Sequence, residues 1–239
     1  MHPFPDPEES SMELLLTGPL RFHYLLVSLL LLIIVYPLVV QTTESYLLID
    51  ILLSLTLIAG IWVVSERHAQ VALGILLSLL TLATLWYAAV TFNPLVALTS
   101  LVLGFVFFSY TISLLLIHLF RQPHVTLGEL SAAVSCYLLL AINGAFLFAI
   151  IDYLLPGSFV ALGNNVPLPW AGSPVPHFSN YLYFSITSLT TLGYGDIVPV
   201  TPPARVFSSL ESAIGQIYLT VLVARLVGLH ISRTTRYPE

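Results

Sequence analysis

The chain has 239 residues, of which 57% are hydrophobic and only 8% are charged, and its formal net charge is −5. A soluble domain carries about 25% charged residues, so the composition excludes an ordinary soluble domain and favours a membrane protein. The acidic balance also argues against nucleic-acid binding, which needs a basic patch.

Six apolar stretches are long enough to cross a bilayer as helices, for which about 20 residues suffice. In chain order they are 22–40, 46–64, 69–91, 95–119, 127–155 and 204–231. Most arginines fall in alternate loops or outside the stretches: Arg21, Arg67, Arg121, Arg233 and Arg236. Because basic residues favour the cytoplasmic side, we expect a multi-pass cell-membrane protein with both termini in the cytoplasm. Arg205 and Arg225 do not fit this count.

The predicted organisation divides the chain at Pro123, which ends the fourth stretch, and at Thr126-x-x-Glu129, which is typical of a capping box that starts a helix. We expect four segments: a cytoplasmic acidic tail (1–20), a four-helix membrane bundle (21–121), a pore domain (126–231) and a cytoplasmic tail (232–239). The pore domain is expected to contain an outer helix (127–155), a turret loop (156–177), a pore helix (178–190), a filter (191–195) and an inner helix (204–231).

One short string carries most of the functional information. Residues 190–196 read Thr-Thr-Leu-Gly-Tyr-Gly-Asp. Gly193 and Gly195 can adopt positive φ without steric cost, and a backbone of alternating hand turns successive carbonyls toward one axis. Stacked rings of carbonyl oxygens replace the hydration shell of a potassium ion. The string occurs once, so a ring needs several chains, and a cyclic homotetramer is the natural solution.

This string, followed by Pro199, Thr201 and Arg205, resembles the signature of tetrameric potassium channels over about residues 126–231. The resemblance implies an all-α membrane protein with six transmembrane helices, a re-entrant pore helix and a selectivity-filter loop, in a voltage-gated-channel-like architecture. It also implies a filter whose residues are Thr191, Leu192, Gly193, Tyr194 and Gly195, with K+ bound at the first four. The family usually has valine at the place of Leu192.

Supporting residues are expected around the filter: Asp196 and Tyr183 from the resemblance, and Glu211 because a charge within a membrane span is a functional hypothesis by default. Asp196 is expected behind the outer mouth, where the Tyr183 hydroxyl can bond to it, whereas Phe184 cannot donate a hydrogen bond. Glu211 is expected to bond the pore helix through Thr187 or Ser188, in a static role that we favour over a proton sensor.

The inner helix contains a candidate hinge and a candidate cavity lining. Gly215 falls where the family often has a hinge glycine, although a glycine that permits close helix contact fits equally well. The inner cavity is expected to be lined by residues at helical spacing: Gln216, Leu219, Thr220, Val223 and Val227. Asp152, near the outer end of its helix, is expected to reach the headgroup region.

The fourth stretch, 95–119, contains no arginine or lysine. A voltage sensor needs several such charges on one helix, because each contributes only about 2.3 kcal/mol per 100 mV. The bundle therefore resembles a voltage-sensor domain in helix count only, and we expect no steep voltage gating. The gate is expected to respond to lipid, tension, pH or a separate partner, unless the pore simply leaks.

A potassium-selective channel that conducts passively is the leading hypothesis, and two others stay open. A weakly selective cation channel would have the same fold with a looser filter. A secondary transporter usually has repeated halves, and this chain shows no internal repeat. No Ser-His-Asp set, phosphate-binding loop or metal-ligand spacing is present, so we expect no enzymatic activity and no cofactor, with K+ as the transported ion.

Overall fold

The computed structural model describes residues 20–39, 53–60, 68–91, 93–122, 126–162, 166–167 and 178–236. Six helices are α1 (Leu20–Val39), α2 (His68–Thr91), α3 (Pro94–Arg121), α4 (Leu127–Leu154), α5 (Phe178–Leu189) and α6 (Pro202–Arg236). Residues 53–60 are also helical. Three short strands are β1 (Phe159–Ala161), β2 (Val166–Pro167) and β3 (Ile197–Pro199).

Four described helices are long and apolar enough to cross a membrane, over Ala69–Ala88, Pro94–Arg121, Leu127–Leu154 and Pro202–Arg225. The first expected stretch forms a shorter apolar helix over Arg21–Val35. The second is described only at 53–60, and its other residues lie outside the described part of the chain. The helical, multi-pass architecture therefore agrees with the sequence, whereas the count of six spans stays a prediction.

The helices of the pore half begin and end close to the predicted positions. Helix α4 starts at the capping box that the sequence predicts, with Thr126 and Glu129 bonding to each other's backbone N–H groups. Helix α6 starts at Pro202, two residues before the predicted 204, because proline is well accommodated in the first helical turn. It continues to Arg236, so residues 232–236, predicted as tail, are helical.

The outer helix α4 is the central element of the described structure, since α1, α3, α5 and α6 all pack against it. Leu25 and Leu29 of α1 are fully buried in this core. Helix α3 approaches α4 most closely at Gly104, where an added Cβ would lie 2.6 Å from the Phe146 ring. The absence of a side chain at Gly104 thus permits the aromatic packing between α3 and α4.

A small antiparallel sheet, in the order β2-β1-β3, joins the two ends of the pore segment. The sequence predicted only a loop at 156–177, but β1 and β2 lie inside it and β3 follows the filter. Residues 163–165 and 168–177 of that loop lie outside the described residues. The Leu162 N–H donates to the Asp196 carbonyl at 2.8 Å, and the Val200 N–H donates to the Ser158 carbonyl at 2.8 Å. The sheet therefore holds the chain after the filter against the chain after the outer helix.

Phe159 connects this sheet to the helices beneath it. Its fully buried ring lies between α4 and α5, with ring centroids 5.4 Å from Phe148, 5.1 Å from Phe184 and 5.8 Å from Tyr181. These separations are in the range at which aromatic rings attract one another. The aromatic cluster formed by these four residues fixes the outer end of the pore helix to the outer helix.

We expect Phe159→Ala to destabilise the protein strongly, because deletion of a buried aromatic ring costs about 3–5 kcal/mol. Leu162→Ala, one residue past the same strand and 52% exposed, is the matched control and should change stability by no more than about 0.5 kcal/mol. Thermal unfolding in detergent measures both variants. Equal unfolding temperatures for the two would contradict the anchoring role of Phe159.

Candidate ion-conduction site

The backbone of the filter string alternates in hand. Thr191, Gly193 and Gly195 have positive φ angles of 59°, 55° and 78°, whereas the intervening Leu192 and Tyr194 do not. The two glycines adopt this conformation freely. Thr191 is β-branched, and a positive φ at such a residue is rare and strained. Strain of this kind is concentrated at functional sites, and the surrounding structure must hold it in place.

The filter is attached to the end of the pore helix by backbone hydrogen bonds. The Thr191 N–H donates to the Ser188 carbonyl at 3.0 Å, and the Gly193 N–H donates to the Thr187 carbonyl at 3.1 Å. The pore helix ends at Leu189 and Thr190 forms a turn, one residue earlier than predicted. The backbone N–H groups of residues 191 and 193 therefore tie the filter to the end of the pore helix.

Hydroxyl groups from the two flanking helices brace the same end of the pore helix. Ser212 of α6 donates to the Ser188 carbonyl at 2.8 Å, and Tyr137 of α4 donates to the Leu189 carbonyl at 3.3 Å. Sequence reasoning missed both residues. The signal available was the presence of hydroxyl side chains inside apolar spans, where each needs a polar partner.

Gly215 lies at the closest approach of the inner helix to the pore helix. An added Cβ would lie 2.0 Å from the Leu189 carbonyl oxygen, so no larger residue fits without movement. The inner helix is continuous through this position. The structure thus gives Gly215 a close-contact role, and a hinge at this residue remains a prediction.

The inner helix also contacts the innermost residue of the filter. The Gln216 amide donates to the Thr191 hydroxyl oxygen at 3.0 Å. Further along the same face, Leu219, Thr220 and Val223 are exposed in the single chain. The side chain of Val227 lies outside the described residues. The four described positions of the predicted cavity lining therefore share one open face below the filter.

At the outer mouth, the Tyr183 hydroxyl donates to Asp196 Oδ2 at 2.8 Å. Tyr183 lies outside the four membrane-spanning helices. Desolvation and the Asp196 carboxylate raise its pKa to about 12, so the hydroxyl keeps its proton at neutral pH. Phe184, which has no hydrogen-bond donor, is buried, and its ring packs on Phe148 at 5.1 Å within the aromatic cluster. The pore helix is held there by aromatic packing.

Asp152 occupies a different environment from the one predicted. The expectation that its carboxylate reaches the headgroup region is wrong, because Asp152 is fully buried. It accepts hydrogen bonds from the Tyr181 hydroxyl at 2.6 Å and from the Phe159 N–H at 3.3 Å. The chain after α4 folds back over the carboxylate, which the sequence pattern alone did not indicate. Asp152 consequently joins the outer helix, the pore helix and the sheet.

Glu211 bonds the pore helix, but through a residue other than those predicted. Its Oε1 atom lies 2.5 Å from the Ser185 hydroxyl, whereas Thr187 bonds the Phe184 carbonyl and the Ser188 carbonyl is taken by Ser212. The predicted partners were wrong because Glu211 meets the pore helix near the middle of that helix, at Ser185, and not near its end. Glu211 is 8% exposed.

Arg205 and Arg225, the two arginines that do not follow the predicted cytoplasmic placement, both donate to backbone carbonyls. Arg205 Nε donates to the Pro199 carbonyl at 3.2 Å, just beyond the filter. Arg225 Nη2 donates to the carbonyl of Gln122, the C-terminal cap of α3, at 2.6 Å. Because a helix C-terminus carries partial negative charge, the Arg225 position is favourable, and it links the inner ends of α3 and α6.

A comparison with known protein families matches the same part of the chain that forms this site. A family model described as an ion channel matches residues 138–230, which include the outer helix from Leu138, the pore helix, the filter and most of the inner helix. No solved structure gives a significant match.

Three curated relatives are named as potassium channels. "Two pore potassium channel c" of Oryza sativa subsp. japonica is 38% identical over 85 residues, which are 35% of this chain and 18% of the relative. "Voltage-gated delayed rectifier potassium channel KCNH5" of Homo sapiens is 35% identical over 75 residues, 29% of this chain and 8% of the relative. "Inward rectifier potassium channel Kirbac3.1" of Paramagnetospirillum magnetotacticum is 28% identical over 89 residues, 37% of this chain and 28% of the relative.

The pore helix, the filter segment of alternating hand and the two flanking helices fall largely within the part of the chain that matches the ion-channel family model. The chain is also similar to three kinds of potassium channel over 75 to 89 of its residues. The chain spans less than a third of the length of each of these relatives.

We expect Gly215→Ala to lower the unfolding temperature in detergent, because the new methyl group meets the Leu189 carbonyl. Gly74→Ala is the matched control: the nearest atom to its added Cβ is 3.9 Å away, so alanine should be neutral or stabilising by up to about 1 kcal/mol. If Gly215→Ala unfolds like the wild type and alters only channel opening, the hinge interpretation is favoured over close contact.

Proposed function

We propose that the protein is a potassium-selective channel that conducts K+ passively down its gradient. The observation that supports this most strongly is the alternation of φ at Thr191, Gly193 and Gly195. A backbone of this kind presents consecutive carbonyl oxygens on one side, as rings that coordinate dehydrated K+ require. The K+ sites are assigned to Thr191, Leu192, Gly193 and Tyr194, with Gly195 completing the filter.

The active unit in this proposal is a homotetramer in the cell membrane, with both termini cytoplasmic. One chain supplies one filter string, and a closed ring of carbonyls needs several. In the single chain Tyr194 is 69% exposed and Leu192 is 54% exposed. Large apolar side chains beside an ion path need a covering surface, and a neighbouring pore domain supplies one. Chemical cross-linking in membranes tests the subunit number, and a dimeric limit would contradict it.

The four-helix bundle of residues 21–121 is proposed to act without steep voltage sensing. Its last helix, α3, has basic residues only in its last turn, His118 and Arg121. Both residues lie at the end of the helix, so we expect little charge to cross the membrane field when α3 moves. Any regulatory partner remains to be identified.

The decisive experiment is the reversal potential of purified protein in liposomes with opposed K+ and Na+ gradients. We expect the reversal potential to follow the K+ gradient. Gly193→Ala should abolish selective conduction, because a methyl group strains the positive φ of the filter. Gly157→Ala is the matched control, since Gly157 also has positive φ, at 84°, with free space around it and lies outside the filter.

Other outcomes separate the competing functions. A reversal potential midway between the K+ and Na+ values indicates a weakly selective cation channel. Saturable flux without single-channel currents indicates a transporter. Selective K+ currents in Gly193→Ala would contradict the filter assignment.

We also expect the open probability to change little over the physiological voltage range, with no measurable gating current. The physical reason is the small number of charges in the field, at about 2.3 kcal/mol per charge per 100 mV. Adding arginines to α3 at Val102 and Val106, on its exposed surface, gives a comparison protein. A wild-type gating current of several charges per subunit would contradict the proposal.

A further inference from the structure

A buried polar cluster lies where the outer helix, pore helix and inner helix meet. Ser185 of the pore helix is at its centre, with its hydroxyl oxygen 2.5 Å from the Ala141 carbonyl oxygen of the outer helix and 2.5 Å from Glu211 Oε1 of the inner helix. Gly144 makes the space for this arrangement, because an added Cβ would lie 1.8 Å from Glu211 Oε1. The other carboxyl oxygen, Oε2, is buried without a hydrogen-bond partner among the described residues.

A count of the protons in the cluster favours a neutral Glu211. A carbonyl and an ionised carboxylate only accept hydrogen bonds, and a serine hydroxyl has one proton to donate. Two contacts of 2.5 Å around Ser185 therefore need a second proton. A protonated Glu211 supplies it, since its O–H can donate to Ser185 while Ser185 donates to Ala141. Hydrogen bonds between oxygens span about 2.5–3.0 Å, so each of these two contacts is short enough to need a proton between its oxygens.

Among the residues that the structure describes, the charged and titratable groups around Glu211 do not neutralise its carboxylate. On the outer helix, Tyr137 faces it but donates to Leu189, and Asp152 is bound to Tyr181. On the pore helix, Tyr183 is bound to Asp196. On the inner helix, Arg205 is bound to Pro199 and Tyr218 to Ala133. An unpaired charge buried in this way is strongly unfavourable, and a carboxyl group takes up a proton instead.

We propose that Glu211, Ser185 and Ala141 form a proton-binding site that holds the pore helix between the outer and inner helices and makes conduction depend on pH. This inference rests on the proposed channel function. Loss of the proton leaves Ser185 with one hydrogen for two acceptors and puts a buried charge behind the filter. The carboxylate then moves toward water and releases its contact with the pore helix.

The direction of the pH dependence follows from which state binds the proton. An exposed glutamate is ionised above about pH 5, whereas this site holds a proton only when the three helices are packed together. The packed state thus binds more protons than the loosened state, and its stability falls as the pH rises. The current is consequently highest in neutral or acidic solution and decreases in alkaline solution.

The test measures the K+ current in liposomes at about pH 6 and at about pH 10. For each variant, the result is the ratio of the current at the higher pH to the current at the lower pH. The wild type should lose roughly tenfold across this range, the effect of one buried hydrogen bond. Glu211→Gln keeps a neutral donor of similar size and should show an almost constant current. A flat wild-type profile, or the same alkaline loss in Glu211→Gln, overturns the proposal.

A second measurement separates this inference from the channel function. Infrared difference spectra of the wild type between the same pH values should contain a protonated-carboxyl band that disappears on alkalinisation and is absent from Glu211→Gln. Ser185→Ala should move the midpoint of that band, whereas Ser131→Ala, whose hydroxyl bonds within its own helix, should not. Absence of the band refutes the proton site even if K+ flows, and its presence without K+ current refutes the channel proposal alone.

Discussion

In the proposed channel, the rest of the pore half depends on one constraint: a stretch of backbone that is neither helix nor sheet must keep its polar groups satisfied at the depth of the membrane. Such backbone survives only where protein or a water-filled path surrounds it. Here the end of the pore helix provides the protein side, since the carbonyls of Thr187 and Ser188 accept from the N–H groups of Gly193 and Thr191. In the proposed homotetramer, the filter carbonyls are then free to face the common axis.

That constraint explains why the neighbouring apolar helices contain buried polar side chains at all. Tyr137 and Ser212 bond the last carbonyls of the pore helix, Glu211 bonds its middle and Asp152 bonds its outer half. Each of these groups is costly in an apolar environment unless it has a partner. The pore helix is thus held at three positions along its length. The hydrogen bonds that hold it also reduce the cost of burying these polar side chains.

The sequence predicted the elements of the pore half well, because each has a local signal. The Thr126–Glu129 capping box marks the start of α4, and the two glycines of the filter mark the change of hand. Contacts between helices had no such signal: the Ser185 partner of Glu211 and the buried position of Asp152 depend on how far one helix slides along another. Helical periodicity gives the face of a residue but not its height against a neighbour. The strands β1 and β3 were missed because they are three residues long and pair across the whole pore segment.

The contact between Arg225 and the Gln122 carbonyl bears on how a bundle without gating charges can act on the pore. This bond joins the inner end of α3 to the inner helix, and the Arg225 guanidinium also lies 5.9 Å from the centre of the Phe120 ring. In the proposed channel, these two contacts connect the inner end of α3 to the inner helix. In the proposal without steep voltage sensing, a movement of α3 comes from forces on its packing, such as lipid pressure or a bound partner. The coupling is mechanical in either case, because a hydrogen bond and a ring contact transmit displacement whatever its cause.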